Sequence, residues 1–220
     1  MMTSPRIDPD NESALLCLVP RRHPASLHST AEYRLVVARE TWELAGCVEL
    51  RRQVFCEEQR IFSQHDRDSL DGSSNTLMLA AIACFAGMPD RVVGTVRVVN
   101  HGEQHWSGSR LAVCRSWRGQ ALIGSELIRH AVGLAQARGC ARFTANVQRQ
   151  NVPLFAALHW LPLADSIVQG RLHKTMLAQL EYYPVRPDAV AFTRRGDTQQ
   201  GRLANGKLLL GKPLPPQVAA

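Results

Sequence analysis

No apolar run in the 220 residues reaches the roughly 18 residues that a membrane-spanning helix needs. The start of the chain carries Arg6, Asp8, Asp10 and Glu12, whereas a secretory signal peptide has an uninterrupted apolar segment there. Repeats and heptads are missing as well. We therefore expect a cytoplasmic protein that has no membrane partner.

Cysteine is scattered along the chain, and no two cysteines have the CxxC or CxxxxC spacing that lets two thiolates reach one metal ion. The six positions are Cys17, Cys47, Cys56, Cys84, Cys114 and Cys140. Metal-ligand spacing is also missing among His65, His101, His105 and His159. We expect reduced thiols that pack as small apolar side chains, and we predict no metal site.

Aromatic residues make up only 6% of the sequence and are not interleaved with basic residues, as they are in surfaces that stack exposed bases. The formal net charge is +7, and the ends contribute unequally to it. Residues 186–220 hold six Lys or Arg and two Asp, and residues 1–32 hold three Arg and four acidic residues. The modestly positive body suits an anionic small ligand, and we predict no nucleic-acid partner.

The pattern of the chain predicts one domain between two irregular ends. Residues 1–32 mix prolines and charges without a sustained period, so we predict a disordered N-terminal extension. Residues 33–185 form the predicted domain. Residues 186–220 are rich in Pro and Gly and predict a mostly disordered, basic C-terminal tail. A fragment of residues 31–189 is accordingly expected to fold on its own.

Apolar periodicity predicts a mixture of strands and helices within this domain. Seven segments have strand patterns: 33–37, 77–85, 91–99, 109–113, 141–147, 166–169 and 173–180. Three segments have helix patterns: one capped by Thr41 that runs to Phe55, one from about Leu122 to Arg138, and a short one from Asn151. Residues 66–75 and 100–108 read as polar loops, and residues 87–90 as a hairpin turn. This order predicts an α/β (α+β) domain with a mixed sheet covered by helices.

Residues 111–128 place a strand, a basic turn with Gly119 and the start of a helix consecutively. The free backbone N–H groups and the positive dipole end of a helix N-terminus can hold a phosphate, and glycine permits close approach of the backbone. Many helices begin in this way merely to follow a strand, so the spacing alone is a weak signal.

The same stretch resembles the acetyl-CoA-binding segment of GNAT N-acetyltransferases, in which L-A-V is followed by R-G-Q-G-I-G and a helix. Residues 50–59 are similar to the early GNAT helix with the pattern R-x-x-V-F-x-x-E-Q, and residues 148–160 resemble the later segment in which an Asn opens a helix that ends in L-G-F. Residues 108–113, 147–153 and 170–173 together resemble a bacterial subfamily associated with nitrogen starvation. The resemblance covers residues 33 to 183.

This resemblance implies a GNAT-like, mostly antiparallel central sheet flanked by helices. It also implies direct transfer of the acetyl group of acetyl-CoA to a primary amine of a small molecule, without an acyl-enzyme; a homodimer is compatible with it. The implied cofactor-binding residues are Leu111, Ala112, Val113, Arg118, Gly119, Gln120, Ala121, Leu122, Ile123, Gly124, Ser125 and Asn151. The turn is one residue longer than the family pattern and has Ala121 where a second glycine is common.

An amine attacks only when it is neutral, so a base near the acceptor is useful. The candidates are Glu57 and Glu58, in the segment that borders the acceptor in GNAT folds, and His173 after the Gly170 turn; Glu103 is a weaker one. Phe155 stands where many GNAT enzymes have a tyrosine that protonates the leaving thiolate.

Two alternatives remain open from the sequence. One is a catalytically silent GNAT-like module that binds CoA for regulation. The other is an acyltransferase similar to acyl-homoserine-lactone synthases, which share an L-R-x-x-V-F helix; its acyl donor would be an acyl carrier protein. The phosphate-binding turn favours free CoA over the second.

Overall fold

The computed structural model describes residues 32–85, 87–118 and 122–187, and the backbone of residues 191–194. The elements follow in the order β1 (Glu32–Val37), α1 (Thr41–Arg52), β2 (Thr76–Phe85), β3 (Met88–Asn100), β4 (His105–Val113), α2 (Ile123–Ala137), β5 (Arg142–Gln148), α3 (Val152–Ala157), β6 (Trp160–Val168), β7 (Arg171–Ala178) and β8 (Ala191–Arg194). A π-helical segment, Gln53–Glu58, extends α1, and short 3₁₀ turns lie at Ser69–Gly72, Arg115–Trp117, Arg149–Asn151 and Leu180–Tyr182.

The strands form one sheet in the order β6-β7-β5-β4-β3-β2-β1-β8. All pairs of described strands are antiparallel except β4 with β5, which are parallel. The predicted mixed and mostly antiparallel sheet, flanked by helices, is therefore confirmed.

Helix α2 packs on one face of the sheet and is buried on most sides, with Leu127, Val132 and Leu134 fully inaccessible. It lies close to β3 because Gly94 has no side chain. A Cβ atom at Gly94 would stand 2.6 Å from Cγ2 of Ile123, the first residue of α2. This glycine brings the start of α2 directly against the sheet.

Helix α1 packs on the opposite face, where Cys47 meets Met78, Ala80 and Ile82 of β2. Burial raises the pKa of the Cys47 thiol to about 11. A thiol with so high a pKa is not a reactive nucleophile near neutral pH, which agrees with a packing role.

Several predicted boundaries are wrong. The segment 100–108 was expected to be a loop, but β4 begins at His105 because residues 105–108 pair with β5 and residues 106–108 also pair with β3. Strand β6 begins at Trp160, not at residue 166. Glu40, not Thr41, caps α1, and the amides of Arg39 and Glu40 donate to Oε2 of Glu43 at 2.9 and 3.2 Å.

Order also continues past the predicted domain end at residue 185. The amide of Arg186 donates to the carbonyl of Gly133 at 3.0 Å, so the chain crosses α2 there. Strand β8, which the sequence did not predict, pairs with β1 from Ala191 to Arg194. Residues 1–31 of the predicted N-terminal extension, with Cys17, and most of the predicted tail lie outside the described residues, whereas Glu32 begins β1. No helix in the described ranges is long and apolar enough to cross a membrane.

Candidate active site

Strands β4 and β5 separate halfway along their length. Their pairing ends at Gly108 and Ala145, although β4 continues to Val113 and β5 to Gln148. The separation coincides with an irregularity in β4: Arg110 has φ of +56°, and the register with β3 shifts beside it. Such bulges bend a strand and recur next to active sites.

The separated part of β4 presents backbone groups to the opening. The amide of Cys114 donates to the carbonyl of Val93 on β3 at 2.8 Å. Successive residues of a strand direct their amides to opposite edges. The amides of Leu111 and Val113 therefore point away from β3, toward the gap between β4 and β5.

A cavity of about 470 Å³ fills this gap. Its apolar wall comes from α2, α3 and the strands, including Ile128, Phe143, Phe155 and Trp160. The rings of Phe155 and Trp160 meet edge to face with centroids 5.0 Å apart. A cavity of this size, with one apolar wall and a few convergent polar groups, fits a small-molecule site.

The polar wall of the cavity lies on the sheet face opposite α2. It includes His105, Ser107, Thr144, Asn146, His173 and Thr175. The register of the sheet aligns these residues, because Ser107 stands opposite Thr144, and Asn146 opposite Thr175. Thr175 Oγ1 donates to Oδ1 of Asn146 at 2.8 Å. Only His173 of this wall was predicted from the sequence, since the wall's residues come from three strands that have no shared motif.

The start of α2 lies beside the end of β4. The first helical hydrogen bond runs from the amide of Glu126 to the carbonyl of Leu122 at 3.0 Å, so the amides of residues 123–125 precede the helical ladder. Leu122 has φ of +51° and is exposed. A Cβ atom at Gly124 would meet only Cγ2 of Val113, at 3.8 Å, among its neighbours within 4 Å. Among the described residues, the first turn of α2 therefore has the free amides and the space that anion binding at a helix N-terminus requires.

The predicted cofactor residues for which the structure gives side chains gather at this end of the sheet. Leu111 and Asn151 line the cavity, Ala112 is buried against α1, and Val113 accepts a hydrogen bond at its carbonyl from Nε of Arg118 at 2.8 Å. Ile123 is buried on Gly94, and Gly124 and Ser125 are half-buried in the first turn of α2. Gly119, Gln120 and Ala121 lie outside the described residues.

The predicted catalytic residues do not come together. Glu57 is 55% exposed and pairs with Arg52 at 2.7 Å, and Glu58 pairs with Nη1 of Arg118 at 2.6 Å. Neither carboxylate lines the cavity, whereas His173 does. Glu103 is exposed in the turn before β4.

The π-helical segment after α1 closes one side of the cavity. It turns Phe55 into the cavity wall, and the amide of Gln59 donates to the carbonyl of Val54, five residues back, at 3.0 Å. Gln59 also accepts hydrogen bonds from Gln148 at 3.1 Å and, at its carbonyl, from Arg171 at 2.9 Å. Single π turns are frequent at functional sites.

A buried charge cluster holds the neighbouring loop in place. It consists of three arginines and three aspartates: Arg51, Arg97, Arg110, Asp66, Asp68 and Asp71. The sequence predicts only a polar loop for residues 66–75, because nothing in the spacing of the aspartates shows that arginines from α1, β3 and β4 converge on them.

Arg51 and Arg97 supply the tightest bonds of this cluster. Arg51, with no exposed surface, reaches Asp66 and Asp71 at 2.7 Å each, and Arg97 reaches Asp68 at 2.6 Å. Hydrogen bonds from Arg97 lower the pKa of Asp68. Burial opposes ionisation of Asp71, but hydrogen bonds from Arg51 outweigh it and the pKa of Asp71 falls well below its usual value.

Two histidines stand at the far end of the polar wall. The rings of His101 and His105 have centroids 5.1 Å apart, and their Nε2 atoms lie 2.7 Å from Ser107 Oγ and 2.9 Å from Thr144 Oγ1 respectively. Burial, with the charges of His101 and Arg142, lowers the pKa of His105. His105 is therefore neutral near pH 7. In the part of the chain that the structure describes, no three potential ligands are arranged to hold a metal ion.

Comparison with known proteins agrees with this geometry. A model of the acetyltransferase (GNAT) family matches residues 55–159. The chain is similar to a Lactobacillus plantarum protein described as an N-acetyltransferase, with 17% identity, a TM-score of 0.60, and coverage of 67% of this chain and 98% of that one. A search of curated protein sequences finds no match.

Two further structures share the fold. An acyl-CoA N-acyltransferase from Pseudomonas aeruginosa has 18% identity and a TM-score of 0.55, covering 66% of this chain and 98% of that one. ElaA of Escherichia coli has 15% identity and a TM-score of 0.56, covering 68% and 99%. These likenesses confirm the expected GNAT fold. The fold and the family match together support the prediction of an acyltransferase enzyme.

Proposed function

We propose that this chain is an N-acetyltransferase that moves the acetyl group of acetyl-CoA to a primary amine of a small molecule. The observation that carries the proposal is the separation of β4 from β5 beside the first turn of α2. This arrangement joins a free strand edge, an anion-binding helix terminus and a cavity of small-molecule size.

The residues present fit acetyl-CoA. The amides of Leu111 and Val113 face the gap, where they can bond the amide-bearing pantetheine arm as a neighbouring strand would. The amides of residues 123–125 suit the pyrophosphate, and Gly124 leaves room for close approach. Arg115, exposed in the turn after β4, adds positive charge there.

The reaction needs no covalent intermediate with the protein. The amine nitrogen forms a bond to the acetyl carbon, the carbon–sulfur bond breaks, and the thiolate of CoA leaves with the electron pair. The amide of Val113 faces the gap and would stabilise negative charge that develops on the thioester oxygen. The cavity then contributes mainly by placing the amine beside the thioester.

His173 is the best candidate for a proton acceptor among the three predicted catalytic residues. It lines the cavity, and its Nδ1 lies 2.9 Å from the carbonyl of Arg171, so Nε2 is left to face the acceptor. Glu57 and Glu58 are held by arginines outside the cavity wall, and we assign them no step.

The proposal is tested by placing charge at the first turn of α2. Gly124→Glu sets a carboxylate beside the proposed pyrophosphate, so acetyl-CoA affinity should fall more than about tenfold, or about 1.4 kcal/mol. Gly124→Ala is the matched control, because its Cβ meets only ordinary contact with Val113. Equal affinity of a folded Gly124→Glu variant and the parent, measured by calorimetry, would contradict the proposed site.

Turnover separates an enzyme from the silent CoA-binding module. We expect CoA release from acetyl-CoA in a panel of amino acids, amino sugars, polyamines and nucleotide-pathway amines. A chain that binds acetyl-CoA tightly but releases CoA with none of these amines would support the regulatory alternative. Release from acyl carrier protein in preference to CoA would support the synthase-like alternative.

A further inference from the structure

The charged groups of the cavity wall are all basic. The described residues that line the cavity include Arg97, Arg110 and three histidines. No Asp or Glu is present among the described lining residues. The predicted catalytic carboxylates, Glu57 and Glu58, are outside the wall and bound to arginines. The wall therefore offers no anionic partner to a second ammonium group.

The aspartates of the buried charge cluster do not change this balance. Asp66, Asp68 and Asp71 pair with Arg97 and Arg110, but none of the three lines the cavity, so none of them meets a ligand there directly. Arg97 uses Nε, Nη1 and Nη2 on Ser109, Asp68 and Asp71, so it contributes little to a ligand.

Arg110 has a donor left for a ligand. Its Nε and Nη2 bond to Asp66 and Asp68, and within the described residues Nη1 makes no hydrogen bond. The guanidinium carbon lies 5.0 Å from the ring centroid of Phe62, another residue of the cavity wall. The side chain keeps 18% of its surface exposed. Stacking on Phe62 and three fixed bonds hold the guanidinium in one orientation at the wall.

We infer that the acceptor is a primary amine on a body that carries an anionic group, such as the carboxylate of an amino acid, and that Arg110 receives this group. The inference rests on the proposed function and names the substrate class of the same site. A polyamine is disfavoured, because its second ammonium would lose hydration at a wall where no described lining residue offers it a carboxylate. The amine end would then point along the polar wall toward the gap between β4 and β5.

A series of compounds with one chain length isolates the charge of the body. The compounds 4-aminobutyrate, 4-aminobutanol and 1,4-diaminobutane share a primary amine and four carbons, and differ in the charge at the other end. Alanine, alaninol and 1,2-diaminopropane repeat the comparison with three carbons. Binding to the full chain is measured by saturation-transfer NMR with and without acetyl-CoA, and CoA release is measured in parallel.

We expect the anionic member of at least one series to bind, and its kcat/KM to exceed that of the diamine at least about tenfold. Equal or tighter binding of the diamine would overturn the inference while leaving the proposed acetyltransferase intact. Failure of every member to bind would also overturn it. Because binding is measured without acetyl-CoA as well, the outcome stands even if the chain does not bind acetyl-CoA, which would refute the proposed function instead.

An isosteric charge insertion tests the wall directly. Asn146→Asp adds a carboxylate to the cavity wall without changing side-chain shape, and the hydrogen bond from Thr175 is kept. This variant should shift the preference toward the diamine by about tenfold. Asn75→Asp makes the same change in an exposed turn away from the cavity and serves as the control. Identical preferences in the two variants would show that the charge of the wall does not select the acceptor.

Discussion

Replacing Arg51 by methionine tests the buried charge cluster that supports the cavity. Methionine keeps the length and much of the volume of the side chain, but it removes the bonds to Asp66 and Asp71. Both Arg51 and Asp66 are almost completely buried, at 0% and 1% exposure of their side chains. Water therefore cannot replace the lost partner without rearrangement of the loop.

The size of the effect follows from what remains around each aspartate. Removing one partner of a buried ion pair costs about 3–5 kcal/mol of stability. Asp66 still has Arg110 at 3.0 Å, and Asp71 still has Arg97 at 2.9 Å. Since neither carboxylate is left alone, we expect Arg51→Met to lower the free energy of unfolding by about 3 kcal/mol.

The deficit should depend on pH. Hydrogen bonds from Arg51 lower the pKa of Asp71 in the folded chain, so the stabilisation from this pair is complete above the unfolded pKa of about 3.9 and is lost as the pH falls through the lower folded value. The difference between the parent and Arg51→Met should therefore be constant near neutral pH and shrink below pH of about 4.

Urea unfolding at several pH values measures these differences. Arg52→Met is the matched control, because the neighbouring Arg52 is on the surface and pairs only with exposed glutamates. It should leave the unfolding midpoint nearly unchanged. If Arg51→Met unfolds at the same midpoint as Arg52→Met, the bonds from Arg51 to the aspartates do not stabilise the fold.

Three further predictions concern the walls of the site. Phe155→Ala should cost about 3–5 kcal/mol of stability because the ring is buried against Trp160. Phe155→Tyr should keep the turnover rate within about threefold, and a tenfold rise would show that a proton donor had been limiting. Gly94→Ala should destabilise the fold by about 1–3 kcal/mol and weaken acetyl-CoA binding, because its Cβ displaces Ile123 at the start of α2; calorimetry that finds both unchanged would disprove this contact. A fragment of residues 31–189 should melt cooperatively but a few degrees below a fragment of residues 31–196, which keeps β8 paired with β1; a broad, non-cooperative transition would show that the C-terminal tail belongs to the core.

Local sequence was sufficient for the order of the elements from β1 to β7 and for the strand and the helix within residues 111–128. That segment is contiguous, so its pattern could be recognised without knowledge of any tertiary contact. The polar wall could not be found in this way. Ser107 and Thr144 lie 37 positions apart in the chain and meet only through the parallel register of β4 and β5.

The two loop predictions that were wrong or incomplete, for residues 105–108 and for the loop after α1, also depend on contacts that are distant in the sequence. Residues 105–108 have no strand pattern of their own, and they extend because they pair with β5 and residues 106–108 also pair with β3. The aspartates of the loop after α1 belong to a predicted polar loop, yet Asp66 is buried by arginines that arrive from α1 and β4. In both places the tertiary environment outweighs local preference.

The single parallel pairing among the described strands has a consequence for folding. On either side of it, strands that are close in sequence form antiparallel ribbons: β1 to β4 in one half, and β5 to β7 in the other. Such local ribbons need little loop closure and can form early, whereas joining β4 to β5 must wait for α2 to bridge the halves. The four-residue seam between them would therefore form late in folding, and mutations there should mainly accelerate unfolding rather than slow folding.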